Sequence, residues 1–438
     1  MDQTQHPHVV VVGGGFAGLT LARALAGKAL HVTLIDRENH HLFQPLLYQV
    51  ATAGLSPGDI ASPIRSVFSG KPNVRVLMAE VVDVDHERRE VVFADGPGLA
   101  YDYLVVAAGA ETNYYGNDGW KEHSFGLKSI RDAVQIREHV LTAFETAERE
   151  TNEDRRRELL TFVVIGGGPT GVEMAGAISE LGKHTMKRDF RVVDPTQIRV
   201  VLLEMADRVL LPFHPSLSDE ARKQLEELGV EVRLGVKVTD VGDHYVEVDG
   251  ERLPSAMTCW ATGVKPVALA AALGAPLERG RVVVEKDCSL TRDPKVFVLG
   301  DMAHFAPEAG GRPLPGVAPV AMQQARFVAR AIQRDLRGLQ REAFQYRDKG
   351  FMATVGRSRA VLEAGKIRMA GFVAWLGWLF VHVIYLVGFR NRLVVTLNWC
   401  WSYLTFRRGS RLIAQRHSDA SLNALHERRS DHPLNRVA

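Results

Sequence analysis

Cysteine is scarce. The 438 residues hold three, Cys259, Cys288 and Cys400, and no two stand close together. No CxxC pair is written locally, so neither a dithiol redox centre nor a zinc knuckle is expected. Three separate thiols in a reducing compartment fit better than a disulfide framework. Surplus charge is scarce too. A net charge of +3 gives no reason to expect nucleic acid as a partner. The opening MDQTQHPH lacks the basic region and apolar stretch of a secretory signal, and none is expected. Histidine is plentiful, at sixteen residues, but no HxxxH pair with a third ligand stands out. His40 and His41 are adjacent and would point to opposite faces of a strand. No metal is expected.

What is present is a packed enzyme's composition, with 46% hydrophobic and 24% charged residues. The length suits two or three domains. One device occurs twice. HVVVVGGGFAGLTLAR (8–23) and TFVVIGGGPTGVEMAG (161–176) both read as a buried strand, a glycine turn and a helix. Gly13 and Gly166 stand 153 residues apart, a duplication of architecture rather than a solenoid repeat. The charge run AERETNEDRRRELL (147–160) reads as a solvated helix end and linker. KVFVLGD (295–301) reads as another buried strand, with a helix over roughly 318–334 after it. The fold class is α/β, with two Rossmann-like units and a C-terminal helical segment. Boundaries are expected at 1–120, 121–294, 295–343 and 344–438, the first and third forming one unit and the second inserted in it. From about His417 the chain is polar and is expected to be frayed.

The first loop is Gly13-x-Gly15-x-x-Gly18, with Phe16 and Ala17 opening the helix. One glycine makes the turn, one admits a pyrophosphate, and one lets helix and strand pack closely. The helix N-terminus points free N–H groups at phosphate. Asp36 ends the next strand, 18 residues past Gly18, where a carboxylate can hold a ribose diol; Arg37 follows it. The second loop is Gly166-x-Gly168-Pro169-Thr170-Gly171, and Glu204 takes the ribose place. A carboxylate there repels a 2′-phosphate, so NADH is expected over NADPH. A purely structural glycine turn is the bland alternative for each loop; the acids at the right offset argue against it.

LVVAAGAET (104–112) carries Ala108 and Gly109, CWATGVKP (259–266) carries Gly263, and VFVLGDMA (297–304) carries Asp301. Together with the two loops these resemble the disulfide-reductase-like flavoproteins with two dinucleotide sites. The resemblance implies FAD at the N-terminal loop, NADH at the inserted loop, and Asp301 on the flavin's ribityl chain. A disulfide acceptor would need a cysteine pair after the first domain's second strand. That region reads ENHHLFQPLLYQVATAGLSPGDI (38–60), without cysteine. HHLFQPLLYQVATAGLSP and the tail instead resemble the type II NADH dehydrogenases, single-subunit NADH:quinone oxidoreductases of the membrane surface. This implies hydride transfer from NADH to FAD, then two-electron reduction of a membrane quinone (menaquinone or ubiquinone) without proton pumping. It also implies residence on the cytoplasmic face of the inner membrane, and a homodimer is plausible. Two rivals remain: a soluble NADH-dependent reductase of a protein electron carrier, and a flavoprotein sensor or assembly partner that does not turn over.

Within that resemblance Glu173, two residues past Gly171, is the expected proton-handling carboxylate. The alternative is that it only favours a helix N-terminus through the dipole. The family's quinone-side glutamines map to Ala318-Pro319-Val320-Ala321-Met322-Gln323. Proline replaces the first, leaving Gln323 as the candidate, with Gln324 beside it and Ala321 toward the flavin. Gln44, with Pro45, is assigned to flavin or quinone contact. Val82, placed at the end of a strand within RVLMAEVVDVD, is assigned to adenine through its backbone. Tyr346 and Lys349 resemble positions near the flavin's far edge. GFVAWLGWLFVHVIYLVGF (371–389) has no charged residue. It could span a bilayer, be buried as a core helix or in a dimer interface, or form with 391–412 a helix pair lying in the interface with the membrane, which the resemblance favours. Trp375, Trp378 and Tyr385 suit the headgroup level, and Arg390, Arg392, Arg407, Arg408 and Arg411 would meet anionic lipid heads.

Overall fold

The structure is a computed structural model that describes residues 6–308, 311–405 and 409–413. Strand β1 (His8–Val12) feeds helix α1 (Phe16–Leu25), and β2 (His31–Asp36) returns parallel to β1, with Val9 against Val32. The apolar β1 run is buried along Val9–Val12, as befits a central parallel strand covered on both faces. A short helix α2 (Leu47–Ala51) follows, then β3 (Val74–Met78), β4 (Val81–Asp85) and β5 (Tyr103–Val106). The stretch expected as one strand around Val82 is thus two: β3 joins the parallel sheet and β4 a separate antiparallel one. Val82 sits not at a strand end but at an irregularity between Val81 and Asp83, where the ladder register shifts.

β6 (Ala110–Thr112) leads the chain away from this unit. Helix α3 (Ile130–Arg149) opens with a capping box, in which Ser129 and Asp132 bond each other's backbone N–H. The charge run ends α3 and adds a short helix α4 (Glu153–Leu159). The second copy then repeats the first: β7 (Thr161–Ile165), α5 (Pro169–Glu180) and β8 (Arg199–Glu204), with β9 (Val230–Leu234) and β10 (Met257–Trp260). These strands form one sheet in the order β9-β8-β7-β10. β11 (Val264–Pro266) pairs antiparallel with β6, so the two crossings between units lie side by side.

Beyond β11 the chain rejoins the first core at once: Leu269, Leu273 and Val282 pack with Val10, Val12 and Leu104. The inserted unit therefore closes near Pro266, earlier than the expected 294. β12 (Val296–Val298) completes the first sheet, in the order β12-β5-β1-β2-β3, and α6 (Ala318–Asp335) packs on α1. The C-terminal region holds more than helices. β13 (Phe351–Gly356), β14 (Arg359–Ala364) and β15 (Ile367–Ala370) form an antiparallel meander whose first strand packs on α5.

Two helices follow, α7 (Phe372–Tyr385) and α8 (Phe389–Thr405). The uncharged stretch breaks at Leu386, and Gly388 takes a φ of +91° that favours glycine. With 14 residues, α7 is about 21 Å long, short of a hydrocarbon core of about 30 Å. Among the described residues no helix is long and apolar enough to cross a membrane, so the spanning alternative is set aside. Burial throughout as a core helix is excluded as well, because only Ala374 and Trp378 of α7 are buried within the chain. A helix pair is what forms. Arg407, Arg408 and the polar stretch from His417 lie outside the described residues.

Candidate active site

The two glycine loops are alike to the level of single hydrogen bonds. Gly13 N–H donates to the Ile35 carbonyl and Gly166 N–H to the Leu203 carbonyl, each at 2.7 Å. Asp36 accepts from Gly14 N–H at 2.5 Å and Glu38 N–H at 2.7 Å. Glu204 accepts from Gly167 N–H at 2.5 Å and Ala206 N–H at 2.7 Å. Each carboxylate is so fixed beside its loop, and each oxygen keeps a lone pair for a hydroxyl. Burial pushes the Asp36 carboxyl up, against the two N–H donors and Arg37, which pull it down.

The glycines divide their work as the pattern requires. A Cβ on Gly18 would lie 1.8 Å from the Gly13 oxygen, and one on Gly171 1.8 Å from the Gly166 oxygen. Those two positions let helix and loop touch. A Cβ on Gly15 or Gly168 would meet nothing within 4 Å, so neither is glycine for the protein's own packing. Both are helix N-caps without a side-chain cap, and neither first turn carries an acid. Free N–H groups, open space and a fixed carboxylate fit a dinucleotide in each loop. His41, buried, donates from Nδ1 to the Gly14 carbonyl at 2.9 Å. Burial holds its pKa down at about 4, so it braces the first loop as a neutral ring.

Other expected residues fall around these loops. Ala108 and Gly109 follow β5, with Gly109 at a φ of +77°. Asp301 sits in the turn after β12. Gln324, 1% exposed, accepts there from Gly300 N–H at 2.8 Å, so it braces the turn that carries Asp301. Gln323 bonds the Arg347 backbone on both sides of its amide, at 2.9 Å and 3.0 Å. Ala321 is buried one turn into α6, where Pro319 is tolerated because it lies in the first turn. Gln44 is exposed in a single 3₁₀ turn with Pro45. Gly263 has a φ of +150° and is covered by Tyr115, whose hydroxyl donates to the Thr262 carbonyl at 3.1 Å. Pro169 and Thr170 are exposed at the start of α5, and Phe16 packs edge-on against His41. Lys349 Nζ donates to the Tyr385 hydroxyl at 3.0 Å, tying the segment with Tyr346 to α7. Arg411 is spent on an ion pair with Asp189.

Sequence reasoning missed Lys128. It faces Asp301, and burial pulls its pKa down while Asp301 pulls it up. A lysine one residue before the Ser129 N-cap carries no local signal of that contact. It also missed Gly176. A Cβ there would lie 1.7 Å from the Val355 oxygen, so this glycine lets β13 lie directly on α5. Three residues earlier on that helix, Glu173 receives the Thr354 N–H at 3.5 Å. Glu173 is the fifth residue of α5, past the first turn, which weakens the helix-dipole explanation of it. Part of its side chain remains accessible, yet burial of the carboxyl among protein raises its pKa to about 8, opposed by Thr354 N–H and then Trp378.

Cys259 and Cys288 are buried and Cys400 is exposed, all as free thiols. No group of His, Cys, Asp or Glu among the described residues could hold a metal. A cavity of about 940 Å³ under α8, lined by Glu145, Glu148, Asp189 and Trp401 among others, includes none of the loop residues.

Residues 7–325 match the pyridine nucleotide-disulphide oxidoreductase family. The chain is 45% identical over 428 residues to the type II NADH:quinone oxidoreductase Ndh of Mycobacterium tuberculosis, covering 94% of this chain and 91% of that one. It is 30% identical over 356 residues to the type II NADH:quinone oxidoreductase of Staphylococcus aureus, covering 80% and 87%. Its fold matches the structure of NDH2 from Plasmodium falciparum in complex with NADH, with a TM-score of 0.85 at 18% identity, over 93% of this chain and all of that one. The twin loops, the helix pair and these relatives agree: the chain belongs to the pyridine nucleotide-disulphide oxidoreductase family and, within it, to the type II NADH:quinone oxidoreductases.

Proposed function

We infer that this protein oxidises NADH through bound FAD and reduces a quinone by two electrons. The observation that carries the reading is the pair of equivalent loops joined to a buried carboxylate, Glu173, on the NADH-side helix. FAD, when bound, supplies hydride acceptance and the return of electrons in pairs; the chain positions it and handles protons. In the first loop Gly13, Gly15, Gly18 and Asp36 hold the adenosine half of FAD, with Val82 backbone at the adenine. Asp301, braced by Gln324 and faced by Lys128, holds the middle of the cofactor. In the second loop Gly166, Gly168, Gly171 and Glu204 hold NADH. Glu204 favours the 2′-hydroxyl form because a carboxylate repels a 2′-phosphate.

Quinone reduction takes up two protons. A carboxyl with a pKa near 8 is protonated at neutral pH and able to give its proton up, which suits a general acid. Gln323 retains one N–H and one lone pair beyond its bonds to Arg347, and it serves the quinone side with Gln44. The outer faces of α7 and α8 support attachment to a membrane surface. Phe372, Leu376, Phe380 and Ile384 are exposed at four-residue spacing on α7, as are Phe389, Leu393, Leu397 and Trp401 on α8. Such stripes suit a helix pair lying in the headgroup region, with exposed Arg390 and Arg392 toward anionic lipid. We place this face on the cytoplasmic side of the inner membrane and assign the working unit as a homodimer.

Anaerobic flavin absorbance tests the reading. NADH bleaches the flavin, and a short-chain quinone restores it quickly. Bleaching without restoration would move the electrons to a protein carrier, or leave the protein a sensor that does not turn over.

A further inference from the structure

Trp378 is the one large side chain of α7 that is fully buried, at 1% exposure. It anchors the helix in an aromatic cluster. His382 stacks on it at 3.9 Å between ring centroids, Trp399 of α8 lies at 5.7 Å, and Tyr48 of α2 meets it edge-on at 6.3 Å. The opposite face of α7 is the exposed apolar stripe. A buried indole N–H ordinarily finds an acceptor, yet the Trp378 N–H has no hydrogen-bond partner. Leaving it so is costly. It lies near enough to the Glu173 carboxyl to pull its pKa down, without a hydrogen bond formed between them.

Little else addresses that carboxyl. Among the described residues the only groups acting on Glu173 are the Thr354 N–H and Trp378, with no lysine, arginine or second carboxylate. β13, packed on α5, reads FMATVG and carries no ionisable side chain. From α2, Tyr48 reaches Trp378, and its hydroxyl accepts from Gln49 Nε2 at 2.8 Å. From α7, His382 donates from Nδ1 to the Trp378 carbonyl at 2.7 Å. Burial holds its pKa down at about 4, so it stacks on Trp378 as a neutral ring. An ionised Glu173 has no cation to offset it, and the Trp378 N–H is the side-chain donor in place.

We propose that Trp378 is a positioning residue for the proton-handling carboxylate: its indole N–H closes on Glu173 once Glu173 has lost its proton, so the seating of α7 sets how readily Glu173 gives that proton up. This rests on the role of Glu173 argued above. The balance is simple. NADH, quinone and one solvent proton give NAD⁺ and quinol: the hydride supplies both electrons and one quinol hydrogen by way of bound FAD, and Glu173 supplies the other proton to a quinone oxygen and becomes a carboxylate. Trp378 keeps its own proton and donates a hydrogen bond, and a solvent proton restores Glu173.

The test uses holoenzyme in detergent with menadione as acceptor. Flavin reoxidation is followed against pH in wild type, Trp378→Phe and Glu173→Gln. Phenylalanine keeps an aromatic ring in the cluster and deletes the N–H. The wild-type rate falls as pH rises through the Glu173 titration, and Glu173→Gln removes that fall. In Trp378→Phe the fall moves to higher pH by about one unit, while bleaching by NADH keeps its wild-type pH dependence. A fall that stays in place in Trp378→Phe, but disappears in Glu173→Gln, overturns the role of Trp378 alone. A fall that survives Glu173→Gln overturns the role of Glu173 and this proposal with it. A second readout needs no tryptophan variant. With indole nitrogens labelled by ¹⁵N, one indole resonance of the wild type shifts with the Glu173 titration and is flat in Glu173→Gln. If none shifts, the proposal fails.

Discussion

Gly15→Ala and Gly168→Ala separate what the protein needs from what its nucleotides need. Gly15 has φ −71° and ψ −162°, and Gly168 has φ −70° and ψ 178°. Alanine adopts both without strain. Its Cβ would meet no protein atom within 4 Å at either place. Removing a glycine favours the fold by about 0.4–1 kcal/mol through the unfolded chain, but both positions are helix N-caps, where alanine is worse than glycine by a similar amount, so stability changes little. A pyrophosphate lying against the same backbone would be overpacked by the new methyl, at about 1–3 kcal/mol. That cost is about a 5- to 140-fold loss of affinity. Binding therefore falls while stability holds. The Gly18 and Gly171 positions cannot give this answer, because a Cβ there lies 1.8 Å from a carbonyl oxygen and damages fold and site together.

The assay is thermal unfolding of the apoproteins beside flavin retention and NADH bleaching of the reconstituted ones. Gly15→Ala unfolds close to wild type and loses FAD on dilution. Gly168→Ala keeps FAD and needs a higher NADH concentration to bleach it. If Gly15→Ala holds FAD as tightly as wild type, no pyrophosphate lies against that backbone and the cradle reasoning is refuted. Loss of flavin from Gly168→Ala, with none from Gly15→Ala, would exchange the two assignments.

Further outcomes follow from the same geometry. Glu204→Ala weakens NADH and narrows the preference over NADPH, read from bleaching titrations with both; an unchanged preference removes Glu204 from the ribose. The folded pKa of Glu173, about 8, stands above its ordinary 4.5. Its contribution to stability is therefore fully present below pH 4.5 and lost as pH rises through about 8. Glu173→Gln does not titrate, so denaturant unfolding should show it gaining on wild type across that window, by about 5 kcal/mol at the top; equal stability at both ends argues against a buried carboxyl. Removing residues 371–438 leaves the β13–β15 meander whole and takes away both apolar stripes. Liposome flotation should show attachment lost with NADH bleaching kept, and continued flotation sinks the membrane reading.

Much of the fold was legible because its signals are local. A glycine turn after a β-branched run, with an acid ending the next strand, constrains about thirty residues at once, and both copies formed with Asp36 and Glu204 on their loops. The boundary at 294 was misread for a physical reason. The strand pattern of KVFVLGD marks re-entry into the sheet, whereas Leu269 and Leu273 rejoin the core through a short helix without such a pattern. The meander at 351–370 was missed because its strands are short and lie beside a far louder apolar run. The electrostatic pull of Asp301 on Lys128 and the close approach at Gly176 act across more than a hundred residues, which no local spacing encodes. The irregular ladder between Val81 and Asp83, which leaves Val82 without a register partner on that strand pair, is likewise not displayed by the sequence.

Where the two copies differ is where we place the chemistry. Two residues past the last loop glycine, the first copy has Thr20 and the second Glu173; five past it, they have Arg23 and Gly176. The first helix is covered by α6, another part of its own unit. The second is covered by β13, which Gly176 admits to backbone contact, and behind β13 comes α7 with Trp378. A nucleotide cradle needs neither a buried carboxyl nor a foreign strand on its helix, since the first copy has neither. Both exist only on the copy whose nucleotide must meet the cofactor held by the other. The C-terminal region thus reaches the carboxyl proposed to handle protons through one glycine, one strand and one tryptophan. The helices suited to a lipid surface and the carboxyl suited to a lipid-soluble acceptor are neighbours because the same short segment builds both.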